Sequence, residues 1–315
     1  MRRRGFMFAR IAIVVTFLMT LQSAAQAISG PVKIVGGREI QLYGYGDGTW
    51  YDWTANSAAM PKHFDAYGRL ASGTHVIKVN AAGTQGFTGS FDPSSTGTII
   101  YQQVYQRHSD LYLFDLNTKT RTKLNAADSS EWEWQPRISA AQVLFAREHY
   151  VNGVWSTSLL LMNRSSGIVT DLGSWKAQST YVGVGQVGDA YATYAICVKI
   201  CNAFVYNIAG AQKRKIPPPT GREHYSPVVD ETSGTVYFMR SGHQCGSNAG
   251  LWTVPVADVT ATPVRLASLP NGVDTNVSMS TAPDPTSIGG IDVIFQRVLC
   301  QSGAWDIYAF RNVNQ

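Results

Sequence analysis

Five times along this chain the same unit returns: an apolar strand ending in an aromatic, a short polar hairpin, a second apolar strand, then a turn and a third strand. The aromatics are Tyr101, Phe145, Tyr194, Phe238 and Phe295, spaced 44, 49, 44 and 57 residues apart. A period of that length filled only with strands points to a β-propeller, in which each repeat is a four-stranded blade around a central channel. One such unit cannot bury its apolar faces alone, so the units must stack on one another. Loops far apart in sequence then become neighbours on a common rim.

The clearest unit spans residues 89–130. Thr98 to Tyr101 reads as a strand, Arg107-His108-Ser109-Asp110 as a hairpin, and Leu111 to Leu116 as its return. Asn117-Thr118-Lys119-Thr120 then turns into Arg121 to Leu124. The next unit repeats this with Gln142 to Phe145, a hairpin through Asn152-Gly153, and Ser158 to Met162. An Asn-Gly tip supplies the positive φ that a tight turn needs. Later units carry Ala192 to Ile196 with Ala203 to Ile208, Thr235 to Phe238 with Leu251 to Val254, and Asp292 to Phe295 with Asp306 to Phe310. The last of these is one strand short, and Val32 to Val35 is expected to pair there and close the ring. Residues 39–88 hold blurred strand signals at Ile40 to Tyr43 and His75 to Val79 and read as a degenerate first blade. The expected architecture is all-β: a six-bladed β-propeller, with five or seven blades as alternatives, closed by an N-terminal strand.

The first 27 residues read as an address. Arg2, Arg3 and Arg4 precede an apolar run from Ile11 to Leu21 and small residues ending at Ala27, the layout of a secretory signal peptide cleaved before Ile28. The apolar run is shorter than the ~20 residues a membrane span needs. Arg3-Arg4-Gly5-Phe6-Met7 also fits a twin-arginine signal, so the general and twin-arginine routes both stay open. Cleavage leaves residues 28–315 as a single domain, secreted or periplasmic. It also removes four arginines and takes the formal charge from +5 to +1, since 22 basic residues then face 21 acidic ones. No basic block large enough for nucleic acid remains; Lys213-Arg214-Lys215 falls on an expected outer strand. A monomer with no membrane contact after leader removal is expected.

Phe91-Asp92-Pro93 ahead of Thr98-Ile99-Ile100-Tyr101, with Leu111-Tyr112-Leu113-Phe114-Asp115-Leu116 running into Asn117-Thr118-Lys119-Thr120, resembles one TolB-type propeller repeat. Trp134-Gln135-Pro136-Arg137-Ile138-Ser139 leading into Val143-Leu144-Phe145 is similar to another. The resemblance covers residues 89–311 and implies an extracytoplasmic propeller, usually of six blades. Its residues shape strands and turns, and function does not follow from them.

Cys197, Cys201, Cys245 and Cys300 form an even set in a chain expected to be exported, so disulfides are the default. The repeat places all four in hairpins between second and third strands. It selects Cys197–Cys201 across one tip and Cys245–Cys300 between neighbouring blades.

In a propeller the segments leading into the innermost strands, and the hairpins between second and third strands, open on one face. Here that face gathers Phe87 to Ser90, Glu131-Trp132-Glu133-Trp134, Thr180-Tyr181, Glu223-His224-Tyr225 and Asp274-Thr275-Asn276. Glu131 and Glu133 beside Trp132 and Trp134 suit a carbohydrate or peptide cleft, with carboxylates for polar groups and rings for flat apolar ones. The plainer account packs Trp134 between blades and leaves the glutamates solvated. His108, His149, His224 and His243 share the face but lack ligand spacing, so no metal and no other cofactor is expected. Arg147, Arg240 and Arg297 each follow a recurring aromatic by two residues. At one level they would bind an anionic ligand or form ion pairs between blades.

The expected function is a binding or scaffold module that holds a protein, peptide or glycan over the channel face. Its contacts would be Trp132, Trp134, Arg147, His224, Tyr225, Arg240 and Arg297. The alternative is a secreted polysaccharide hydrolase or lyase using Glu131, Glu133 and His224.

Overall fold

The computed structural model describes residues 32–35, 41–57, 60–124, 131–241, 250–268, 272–273, 279–283, 290–299, 305–311 and 313. Its regular elements are all strands, in antiparallel sets that follow one another along the chain. The first set is Gln41–Gly46, Trp50–Ser57, Met60–Leu70 and Val76–Lys78. The second is Gln85–Phe91, Thr98–Val104, Ser109–Asp115 and Arg121–Lys123. The third is Trp132–Ile138, Gln142–Val151, Val154–Asn163 and Val169–Lys176. Tyr181–Val187, Tyr191–Cys197, Cys201–Asn207 and Gln212–Ile216 make the fourth. Glu223–Asp230, Thr235–Ser241, Gly250–Pro255 and Val264–Ser268 make the fifth. In the last, Gly272–Val273 and Met279–Pro283 pair with Ile291–Leu299, which pairs with Trp305–Phe310. Val32–Val35 adds antiparallel to the outside of Trp305–Phe310.

The recurring aromatics do not end their strands, as the apolar pattern suggests. Tyr101, Phe145, Tyr194, Phe238 and Phe295 are buried in the middle of longer strands. The polar residues beyond them still find ladder partners: Arg147 faces Ser158, Glu148 faces Thr157 and His149 faces Ser156. Backbone pairing therefore carries the strand past the point where apolar side chains stop.

Alternate residues of each set pack toward opposite neighbours. Leu144, Ala146, Leu159 and Leu161 of the third set meet Val182, Val184, Tyr194 and Ile196 of the fourth. Tyr51, Trp53 and Ala55 of the first set meet Ile294, Ile307 and Ala309 of the last, so the ends of the described chain pack together.

The first strand of five sets carries a bulge at the same place. Two residues face one at Tyr43-Gly44, Gly89-Ser90, Gln135-Pro136, Gly185-Gln186 and Ser226-Pro227. A bulge bends its strand and re-aims a side chain. It also brings neighbours very close: a Cβ on Gly89 would lie 2.3 Å from the Pro136 carbonyl oxygen, and one on Gly185 2.2 Å from that of Pro227. Only glycine fits there.

Carboxylates just after these strands latch one set to another. Asp47 accepts from the Gly97 amide at 3.0 Å, and Asp189 from the Ala141 amide at 3.1 Å. Glu231 accepts from the amides of Asp189, Ala190 and Tyr191 at 3.0, 2.9 and 2.7 Å. Arg164 of the third set grips Asp92 of the second at 2.6 Å.

Candidate functional site

On the face singled out by the sequence, Glu131 and Glu133 meet one arginine. Trp132–Ile138 pairs with Gln142–Val151 so that Glu133 stands opposite Arg147. The Arg147 guanidinium bonds Glu133 Oε1 through Nη2 at 2.5 Å and through Nε at 3.2 Å. Nε also lies 3.2 Å from Glu131 Oε2. Glu133 is wholly buried, whereas Glu131 is 28% exposed. A carboxylate held this way is a structural anion; a general acid needs its proton free to move. Trp134 packs between sets, with its ring 5.9 Å from that of Tyr181.

His224 stands opposite Arg240, the register position that Glu133 and Arg147 occupy in the third set. It is fully buried, against Phe238, and its Nε2 accepts from Arg240 Nε at 3.0 Å. Arg240 lies over the Trp252 ring, 3.8 Å from its centroid. Burial first, and the Arg240 charge second, push the His224 pKa down to about 3. The imidazole is therefore a neutral acceptor at physiological pH. A base whose pKa is lower folded than unfolded contributes stability fully above its unfolded pKa of 6.5, and loses it as pH falls toward 3. We expect His224→Gln to flatten the fall of unfolding free energy between pH 6.5 and 4 by up to roughly 1.4 kcal/mol per pH unit. Urea titrations across that range, compared with the parent chain, measure it; equal slopes would remove His224 from the account.

The remaining candidates scatter. Tyr225 donates its hydroxyl to Glu223 Oε2 and packs into the core. His108 stacks on Tyr105 and lies 3.7 Å from Asp110. The Arg297 backbone pairs with Asp306. Its side chain, with His243, Cys245, Cys300 and residues 274–276, lies outside the described residues. Among the described residues, no group of three or more His, Cys, Asp or Glu is placed to hold a metal ion. Cys197 and Cys201 form the expected disulfide across their hairpin.

Among the described residues, a hollow of the channel opens at the other end, where the first strands leave the centre. This cup of about 500 Å³ takes residues from the first strand of every set, including Tyr45, Phe91, Arg137, Val187, Val229 and Met279. Its floor is Arg137, 1% exposed, at the position after the bulge where other sets have Tyr45, Phe91, Val187 and Val228. Arg137 donates to the carbonyls of Gly185 at 2.7 Å, Pro136 at 2.8 Å and Val184 at 3.4 Å. The guanidinium also lies 4.5 Å over the Tyr45 ring. Gln186 accepts from the Thr281 hydroxyl at 3.0 Å, joining the fourth and last sets across the centre. Asp47, Asp92, Asp189, Asp230 and Glu231 line the cup. Sequence reasoning did not single these residues out as a site, although an acid recurring at the end of the first strand in the first, second, fourth and fifth sets was a readable signal.

No protein-family model matches the chain, and no curated protein is similar to it. Solved structures are. TolB from Acinetobacter baumannii superposes with a TM-score of 0.57 at 14% identity, over 84% of this chain and 64% of that one. The chain thus spans less than two thirds of that protein. A putative TolB from Agrobacterium tumefaciens gives 0.55 at 11% identity, over 88% of this chain and 92% of that one. An oligogalacturonate lyase in complex with manganese gives 0.51 at 10%, over 82% and 73%. At such identities the likeness is one of fold. No helix among the described residues is long and apolar enough to cross a membrane. By fold, the chain is a TolB-like β-propeller.

Proposed function

We propose that this chain is an exported, six-bladed binding module, closed by Val32–Val35, that takes a cationic segment of a protein or peptide into the channel cup. The cup carries the reading: it is the place where strands from every set converge, and five carboxylates line it against one buried arginine on its floor. Arg164 offsets only Asp92. Amide bonds orient the other carboxylates without cancelling their charge. The leader of residues 1–27 supports export. The hydrolase or lyase reading has less support, because Arg147 clamps Glu131 and Glu133 while His224 is sealed in the core.

The test is a peptide array probed with the purified chain at two ionic strengths. Peptides bearing Lys or Arg should be retained at low salt and released as salt rises, since charge attraction is screened. Replacing their basic residues with Gln should abolish retention. Retention indifferent to both salt and peptide charge would sink the reading.

A further inference from the structure

A second hollow lies away from the channel, in the wedge between the third and fourth sets. It is a groove of about 690 Å³, open to solvent. Trp134 and Tyr181 form its inner end, with Glu148 and Thr157 from the third set. The turn Ala177–Thr180 and the disulfide hairpin at Cys197, Val198 and Lys199 complete it. Two more rings extend this wall. Glu148 and Tyr150 are two apart on one strand, as are Thr157 and Trp155 on the next, so each pair points the same way. Tyr150 is 59% exposed and Trp155 39%, and their rings touch at 5.2 Å. Large aromatics normally seek burial, so a pair left open beside a groove calls for an occupant.

We propose that this inter-set groove is a binding site for a neutral oligosaccharide, with Trp155 and Tyr150 as stacking platforms and Glu148, Gln178 and Thr180 as hydroxyl partners. A sugar chain alternates apolar C–H faces with rims of hydroxyls, and the groove matches it with flat rings beside hydroxyl, amide and carboxyl groups. The lining contains one acid, Glu148, and one base, Lys199, so it favours a neutral ligand over a charged one. Burial raises the Glu148 pKa above the usual carboxylate range, with the neighbouring Thr157 side chain pulling the other way. The volume falls within the roughly 300–1,000 Å³ of small-ligand sites. This site is separate from the channel cup, and either stands if the other fails.

Cello-, xylo-, chito- and maltohexaose, titrated into the purified chain by calorimetry and tryptophan fluorescence, test it. At least one should bind with an affinity insensitive to salt. Trp155→Ala and Tyr150→Ala should each weaken it about tenfold. Both residues are exposed, so both variants should melt with the parent chain, and Glu148→Gln provides a third check inside the groove. A cationic peptide held in the cup should not compete. The proposal is overturned if none of the four sugars binds, if binding survives all three variants, or if a proline-rich peptide takes the groove in a Trp155-dependent manner while sugars do not.

Discussion

Replacing Arg147 with methionine is expected to lower the unfolding free energy by about 3–5 kcal/mol, because it strips the main counter-charge from a carboxylate inside the protein. Glu133 has no exposed surface, and two of its contacts come from this one guanidinium. The partner at the rim contributes far less. Glu131 is 28% exposed, and a pair open to water is worth at most about 1 kcal/mol, so Glu131→Gln should barely move the midpoint. The double variant Glu133→Gln/Arg147→Met should recover most of the loss, since it removes the buried charge together with its partner. Urea denaturation of the three variants measures all of this. If Arg147→Met alone costs less than about 1 kcal/mol, water reaches Glu133 and the buried pair is not what holds this strand pair together.

Arg137→Met should be comparably severe, at about 3–5 kcal/mol, for a different reason: it orphans acceptors as well as removing a charge. Its donors serve three carbonyls on two sets, and its flat face covers Tyr45 of a third. Lysine offers a point charge in place of a fork, so Arg137→Lys should recover less than half of the loss. A second group depends on this arginine. Asp52 is 1% exposed, and burial raises its pKa well above the usual carboxylate range, with the Arg137 charge pulling the other way. An acid with a raised folded pKa contributes its stability below the unfolded value and loses it as pH climbs through the folded one. Removing Arg137 sharpens that loss, so Asp52→Asn should partly rescue Arg137→Met at neutral pH and do nothing for it in acid. Thermal melts at pH 4 and pH 7 separate the cases. Rescue of equal size at both would mean that charge is not what couples the two residues.

Much of the architecture was legible because its cause is local. The Asn152-Gly153 tip, the strands around Tyr101 and Phe145, and the Cys197–Cys201 hairpin each follow from residues within one unit. Strand lengths were underestimated because polar residues such as Gln102, Arg147 and Glu148 give no apolar signal, while their amides still pair across the ladder. Glu133 and Arg147 were both candidates. What escaped was that they neutralise each other, since register across a hairpin decides which side chains stand opposite. The bulges left a trace in Gly44, Gly89 and Gly185, but a glycine in a strand has several readings until its neighbour is seen against it: the Ile307 side chain for Gly44, and a backbone carbonyl for Gly89 and Gly185.

What the chain's order of residues settled was the repeat: strands of one kind at a steady period, which have no stable partner except one another. What only the folded arrangement decided was which residues meet in the channel cup. Arg137 sits where the other repeats keep apolar side chains, and nothing within its own unit explains it. Its partners Gly185 and Val184 lie almost fifty positions away, and Tyr45 more than ninety. Contacts of that separation depend on how the units stack around the axis. A strand pattern records which faces must be buried, and leaves open what meets at the centre.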